Sequence, residues 1–309
     1  MRKMMTVFTK ILLLLLLGFS IFIIFNLVSL TRNQERFIPD NAMNVYIRAA
    51  DEISQGKLQI NWKYIAALDV VKNKEDFSKT NISNSKILGN KFLEITNDRK
   101  FKNTNYRLLS LDEVINKMRL NKDEKKKAYK YLRRLNDVSP ITPDKYKNKF
   151  INELTPVAKQ LYNDYGILPS ITIGQAILES DWGRSELSKK GNNLFGIKAT
   201  PSWKGKVLNM ETSENYNDEI KDNFRQYKSK DESIRDYANF LLNNKRYKEN
   251  KVFRSTEYKT QAKAIEKAGY STKKDKKGNL LYSNLLGKII REYNLQLIDS
   301  NTQEDLSEL

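Results

Sequence analysis

Between Lys145 and Tyr165, the apolar positions Phe150, Leu154, Val157, Leu161 and Tyr165 recur at the spacing of one helical face. The spacing predicts a helix that Gly166 terminates. A second helix opens at Pro169-Ser170, with Ser170 as its N-cap, and runs through Ile173 and Ile177. This run is apolar apart from Glu179 near its end, and it stops abruptly at Trp182-Gly183. A carboxylate kept ionised and unpaired in apolar surroundings costs on the order of several kcal/mol. Glu179 therefore needs a partner or a function.

The same reading organises the rest of the chain. Val45, Tyr46, Ala49, Ala50 and Ile53 make one helical stripe, and Trp62, Ile65, Ala66 and Asp69 another. Asp69 reads as a structural acid, paired to a lysine or a helix end. Ser110 and Glu113 stand at capping-box spacing. The prolines of "VSPITPDKY", Val138 to Tyr146, mark a boundary. Alternation at Leu208, Met210 and Thr212, then at Ile220, Asp222 and Phe224, predicts strands. Helices return with Ile234, Tyr237, Phe240 and Leu241 on one side, then at Tyr258–Ala268 and Tyr282–Tyr293. From Asp299 onward the chain is polar and acidic, which predicts a disordered tail.

Ile11 to Leu30 is uncharged, mostly apolar and long enough to span a bilayer. It lacks a small-residue cleavage site, so it reads as an uncleaved anchor with the N-terminus inside and the body on the extracellular face of the cell membrane. The expected layout is a cytoplasmic tip and anchor over 1–36, a helical spacer or partner-docking segment over 37–140, a catalytic domain over 141–298 and the tail over 299–309.

The 309-residue chain carries a net charge of +18 and contains neither cysteine nor histidine. The charge points to an anionic partner. An extracellular body makes nucleic acid the wrong one, and no aromatics interleave with the Lys-rich run at Lys122–Lys130 as a nucleic-acid groove requires. Membrane surface and anionic wall polymers fit better. The two absences exclude Ser-His-Asp and Cys-His nucleophiles and His-ligated zinc. Carboxylates, tyrosine and lysine remain for acid–base work.

Thr172, Gln175, Glu179 and Trp182 share one helical face, which makes Gln175 a candidate substrate contact. Glu179 sits at the rim between core and surface, near a helix C-terminus. Desolvation and the negative end of the helix both raise a carboxyl pKa, the condition of a glycosidase general acid. The alternative is an ion pair with Arg184 or Lys189.

"AILESDWGRS" followed by "NNLFGIK" resembles the signature of glycoside hydrolase family 73, bacterial N-acetylglucosaminidases that cut peptidoglycan. "FRQYKSKDESIRDYANFL", "AGYST" and "IIREYNL" match in order, so the resemblance covers about Lys145 to Leu297. The whole layout looks like the membrane-anchored SagB-type members. The resemblance implies a mainly α, lysozyme-like domain with a small β-hairpin lobe, preceded here by a helical segment and one transmembrane helix. It implies Glu179 as the catalytic acid, Tyr270 in the cleft, and Trp182, Asn193 and Phe195 shaping the sugar floor, with core packing the alternative for Trp182 and Phe195. Tyr227 and Asp236 fit the family pattern and read as scaffold, with Tyr227 kept as a further candidate contact. The family's T-x-E element points to Glu214 as second carboxylate, with Glu211, Asp218 and Glu219 competing because "NYNDE" replaces the usual hairpin turn. The insertion "KKDKKGNLL" departs from the family near Tyr270. Implied partners are peptidoglycan glycan strands and a polytopic membrane protein; no metal or cofactor is implied.

Overall fold

The computed structural model describes residues 38–97, 103–138, 144–214 and 218–308. The anchor expected at Ile11–Leu30 lies outside them; among the described residues no helix is long and apolar enough to cross a membrane.

The N-terminal half contains α1 (Asp40–Ser54), α2 (Trp62–Lys72), α3 (Ile82–Asn90), the short hairpin β1 (Leu93–Ile95) and β2 (Tyr106–Leu108), α4 (Leu111–Lys117) and α5 (Lys122–Val138). The striped positions form its core: Tyr46, Ile53, Trp62 and Ile65 are all buried. The Ser110–Glu113 capping box opens α4 with both reciprocal bonds in place. Asp69 is structural, but its partners are hydroxyls rather than a lysine. It accepts from Tyr46 at 2.7 Å and Thr80 at 3.3 Å. The hairpin is an addition to the all-helical segment expected.

The C-terminal half runs through α6 (Lys145–Tyr165), α7 (Pro169–Ser180), α8 (Glu186–Gly191), the antiparallel hairpin β3 (Lys206–Glu214) and β4 (Asp218–Gln226), α9 (Lys230–Asn243), α10 (Lys245–Glu249), α11 (Tyr258–Lys267), α12 (Tyr282–Glu292) and α13 (Gln296–Glu308). Gly166 ends α6 in the left-handed conformation, φ 75°, where other residues are strained. Helix α7 is the centre of this half, buried from Pro169 to Ile177. An all-round apolar helix is stable only inside a core. Helix α12 lies close against it at Gly174, where a Cβ would stand 2.7 Å from Leu286 Cδ1.

A helix end placed inside a core must find protein partners for its free N–H groups. Ser170 does not cap α7: Leu168 holds the N-cap position and supplies no side-chain bond. The Leu168 amide donates instead to Gln261 Oε1 of α11 at 2.7 Å. Asp299 of α13 takes the Ser170 amide at 2.8 Å and its hydroxyl at 2.5 Å. The expected disordered tail is therefore a helix, and Asp299 is fully buried in it. Polar composition misled here because the tail's acids are used as hydrogen-bond acceptors inside the fold.

Helix α13 also binds the two halves together. Ile298 packs on the C-terminal core and Leu297 on the N-terminal one. Gln303 accepts from the Gln59 amide at 2.8 Å while donating to the Thr256 carbonyl at 2.8 Å. Elsewhere, Trp62 donates to Asn294 at 3.1 Å. Buried Asp51 accepts from Tyr258 at 2.7 Å and pairs with Lys259 at 3.1 Å. These contacts make the N-terminal segment part of the body rather than a loose spacer.

Two outcomes follow. Burial pushes the Asp299 carboxyl up to about 7, against the two hydrogen bonds from Ser170. Unfolded, it would titrate at about 3.9, so its contribution to stability is full below that pH and is lost as pH rises through 7. Asp299→Asn can keep the bond to the Ser170 amide and removes the titration. Its melting temperature relative to the parent should rise between pH 4 and pH 8, and a pH-independent difference in calorimetry would refute the assignment. Asp51→Ala should lower the unfolding free energy in urea by about 2 kcal/mol, because it leaves the buried Tyr258 hydroxyl without its carboxylate acceptor. An unchanged midpoint would mean that the halves are not coupled there.

Candidate active site

The turn after α7 places the acid. Asp181, Trp182 and Gly183 have φ of 47°, 61° and 73°, three successive left-handed residues. Such backbone is costly for a bulky side chain and persists only when its surroundings hold it. Ser180 holds it by accepting from the Gly183 amide at 2.7 Å while donating to the Ala176 carbonyl. The Trp182 ring holds it too. It meets Tyr293 edge-on at 4.7 Å and Phe150 at 6.0 Å, with Lys147 over its face at 4.9 Å. With only 7% of its surface exposed, Trp182 is core, which corrects its expected role in the sugar floor. Its work is to fix the turn that leaves Glu179 at the helix end.

Glu179 is exposed, yet its carboxyl has protein around enough of it for desolvation to raise its pKa. Neither expected ion pair forms: Arg184 pairs with Asp181 at 3.4 Å, and Lys189 with Glu186 at 3.9 Å. The opposing influence is a donor. Tyr282 of α12 donates to Glu179 Oε1 at 3.1 Å and holds the pKa down in part.

The orientation of that donor is set behind it. Buried Gln175, one turn back on α7, donates from Nε2 to the Tyr282 hydroxyl oxygen at 2.7 Å. Its Oε1 accepts from buried Tyr237 of α9. Once the Tyr282 oxygen accepts from an amide, its one proton is left for Glu179. Gln175 is thus a positioning residue and not the substrate contact expected from its helical face. Tyr237, Tyr270 and Tyr282 all have phenol pKa values raised well above the ordinary value, mainly by burial and in part by the Glu179 charge.

Tyr270 packs on Tyr282 with ring centroids 5.3 Å apart. It also lines a cleft of about 500 Å³ together with Phe195, Gly196, Phe240, Arg246 and Tyr247. Glu179 is not on the wall of this cleft; it borders it through Tyr270. The insertion after Tyr270 folds on itself, with Asp275 accepting from the Asn279 and Lys277 amides at 2.8 Å each.

The other expected contacts separate. Phe195 reaches the cleft while stacking flat on Tyr237, 4.1 Å between centroids. Asn193 is buried and accepts from the amides of Phe195 and Ile197 while donating to the Ile197 and Arg225 carbonyls, so it holds the "NLFG" turn rather than a sugar. Tyr227 is likewise scaffold: buried, it donates to Asp236 at 2.6 Å, and Asp236 pairs with Arg225 at 2.8 Å. Glu214 ends β3 opposite Asp218, at the tip of the hairpin, and Glu211 lies opposite Lys221. Of the "NYNDE" stretch, 215–217 lie outside the described residues, while Asp218 and Glu219 begin β4, Glu219 opposite Ser213.

Residues 155–295 match the family model described as mannosyl-glycoprotein endo-beta-N-acetylglucosaminidase, the Glucosaminidase family. This part of the chain is a glucosaminidase-family domain. The exo-glucosaminidase LytG of Bacillus subtilis is 40% identical over 158 residues, covering 48% of this chain and 52% of the relative. The peptidoglycan hydrolase FlgJ of Vibrio parahaemolyticus is 34% identical over 139 residues, covering 42% and 45%. The chain thus spans about half the length of these curated relatives. Among solved structures, the catalytic domain of the Listeria monocytogenes autolysin Auto is 32% identical, with a TM-score of 0.43, covering 51% of this chain and 89% of that one.

Tyr282 and Tyr237 were not singled out by sequence reasoning. Both occur at helical spacing in apolar runs, which reads as core, and only the fold shows their hydroxyls joined through Gln175. Tyr282→Phe removes the donor that lowers the Glu179 pKa, so the alkaline limb of the pH–rate profile should move to higher pH while the maximal rate falls. A profile that keeps its position would show that Tyr282 does not act on the acid.

Proposed function

We propose that the chain is a membrane-anchored endo-β-N-acetylglucosaminidase that hydrolyses the β-1,4 bond following N-acetylglucosamine in peptidoglycan strands near the membrane. The observation that carries this is Glu179: a carboxyl raised by desolvation, fed by an oriented tyrosine donor, at the edge of a cleft in a glucosaminidase-family domain. A carboxyl in this state is protonated to higher pH than a free glutamate and can protonate the leaving glycosidic oxygen. The positive charge that develops on the sugar is then met by one of two groups. Either Glu214 acts as the second carboxylate, or the substrate's own 2-acetamido oxygen attacks and water opens the intermediate.

The anchor reading rests on Ile11–Leu30, and the confinement to strands near the membrane follows from it. The charge of +18 suits approach to a wall of anionic polymers. A polytopic membrane protein as partner belongs to the same reading, with the N-terminal segment as the part that would meet it.

Two other readings have specific support. Similarity to an exo-glucosaminidase, LytG, favours release of sugars from chain ends. A muramidase or lytic transglycosylase also needs a single glutamic acid.

Product analysis tests all of these together. The chain and its Glu179→Gln variant are incubated with purified peptidoglycan, and the new ends are reduced with borohydride and weighed by mass spectrometry. The expected result is N-acetylglucosaminitol ends on fragments of mixed length, with the rate lowered at least 100-fold in the variant. Single sugars only would mean an exo-enzyme, reduced muramic ends a muramidase, and anhydro-muramic ends a transglycosylase. Equal products from both proteins would remove Glu179 from the chemistry, and no products from either would favour a wall-binding adaptor.

A further inference from the structure

The cleft beside Tyr270 has an electrostatic character that general acid catalysis does not require. Its wall carries three cations, Lys198, Arg225 and Arg246, and no carboxylate among the described residues. Two of the three are already matched. Lys198 pairs with Asp222 at 2.6 Å, and Arg225 with Asp236 at 2.8 Å while lying over the Trp203 ring at 4.6 Å.

Arg246 differs. Its hydrogen bonds go to neutral acceptors, the Tyr247 hydroxyl at 2.9 Å and the Gly269 carbonyl at 3.4 Å. Its guanidinium lies 4.9 Å from the centroid of the Tyr247 ring, and Tyr247 is fully buried. The charge is therefore held in place against a fixed ring and beside the residue that precedes Tyr270, while the side chain remains exposed. No carboxylate among the described residues pairs with it. A guanidinium fixed in this way presents its remaining N–H groups as a fork matched to a carboxylate.

Taking the cleft as the glycan channel of the proposed function, we propose that Arg246 recognises a carboxylate carried on the strand, one sugar or more from the bond that Glu179 cleaves. Two sources share that chemistry: the lactyl carboxylate of a muramic acid unit without its peptide, and a carboxylate of the stem peptide. The domain would then read substituents as well as the sugar backbone, and would discriminate against uncharged hexosamine chains.

The test separates this inference from the hydrolase reading by measuring binding on the cleavage-silent background. The full chain bearing Glu179→Gln is titrated calorimetrically with peptide-free strands and with peptide-bearing strands. Each set is used as isolated and after conversion of its carboxylates to methylamides. Adding Arg246→Gln should weaken binding about tenfold for carboxylate strands, the scale of one charged hydrogen bond, and leave methylamide strands unchanged. Arg246→Lys should fall between the two. Loss on peptide-free strands identifies the lactyl group, and loss confined to peptide-bearing strands identifies the stem. Equal loss on methylamide strands would overturn the proposal, since Arg246 would only be bracing Tyr247 and Gly269; so would no loss on any strand, or no binding at all. Selective binding with no cleavage by the parent chain would instead sink the hydrolase reading and leave Arg246 as assigned.

Discussion

An entirely buried helix with one useful acid at its open end is the constraint around which this fold is arranged. Helix α7 has no water along most of its length, so each polar group on it needs a protein partner. The surrounding helices supply most of these partners, the buried Thr172 hydroxyl being left without one among the described residues. Gln261 of α11 takes the Leu168 amide, Asp299 of α13 takes Ser170, Tyr237 of α9 bonds Gln175, and Tyr282 of α12 meets both Gln175 and Glu179. Each bond is also a packing restraint, because a donor and acceptor about 3 Å apart fix two helices in register. The acid's position is thus set by the helices that satisfy the buried stretch behind it.

That arrangement extends into the N-terminal half. Asp299 sits on α13, and α13 is held by Gln303 against Gln59 and by Tyr64 through Glu304 at 2.9 Å. Shifting the N-terminal half would move α13, and α13 holds the start of the helix that carries Glu179. A segment whose only role was distance from a membrane would need no such bonds. Its buried Trp62, Asp51 and Gln59 contacts make it a brace for the glucosaminidase domain, whatever else it binds.

How much of this is legible in the sequence depends on the range of the interaction. Local signals were sufficient where the physics is local. The period of α6, its Gly166 stop and the Ser110–Glu113 box appear as read, and the hairpin forms where alternation placed it. Asp299 was hidden because its partner is 129 residues away, and a short polar run gives no sign of burial. The motif positions needed the fold for another reason. Trp182, Asn193 and Tyr227 occupy motif positions, but a motif fixes the residue type and not the task. Near a cleft, the same indole can face a sugar or close the core behind it. Glu179 was legible because an acid ending an apolar helix has few inexpensive explanations.

The two roles of tyrosine here show how the site can be dry and still poised. A carboxyl raised by desolvation alone would hold its proton well but release it poorly, since nothing would stabilise the anion left behind. Tyr282 offsets this with one directed hydrogen bond, and Gln175 ensures that its proton points toward Glu179. Burial raises the acid's pKa while a preorganised donor limits the rise, and the same donor stabilises the anion once the proton has left. Tyr270 joins this pair to the basic cleft, packing on the Tyr282 ring and lining the cleft wall. Arg246 stands on the cleft wall, held by Tyr247 and the Gly269 carbonyl, and is not paired with Glu179. A charge placed there can attract an anionic substituent without pairing directly with Glu179. The acid and the basic cleft can therefore lie side by side, separated by aromatic rings, without each disabling the other.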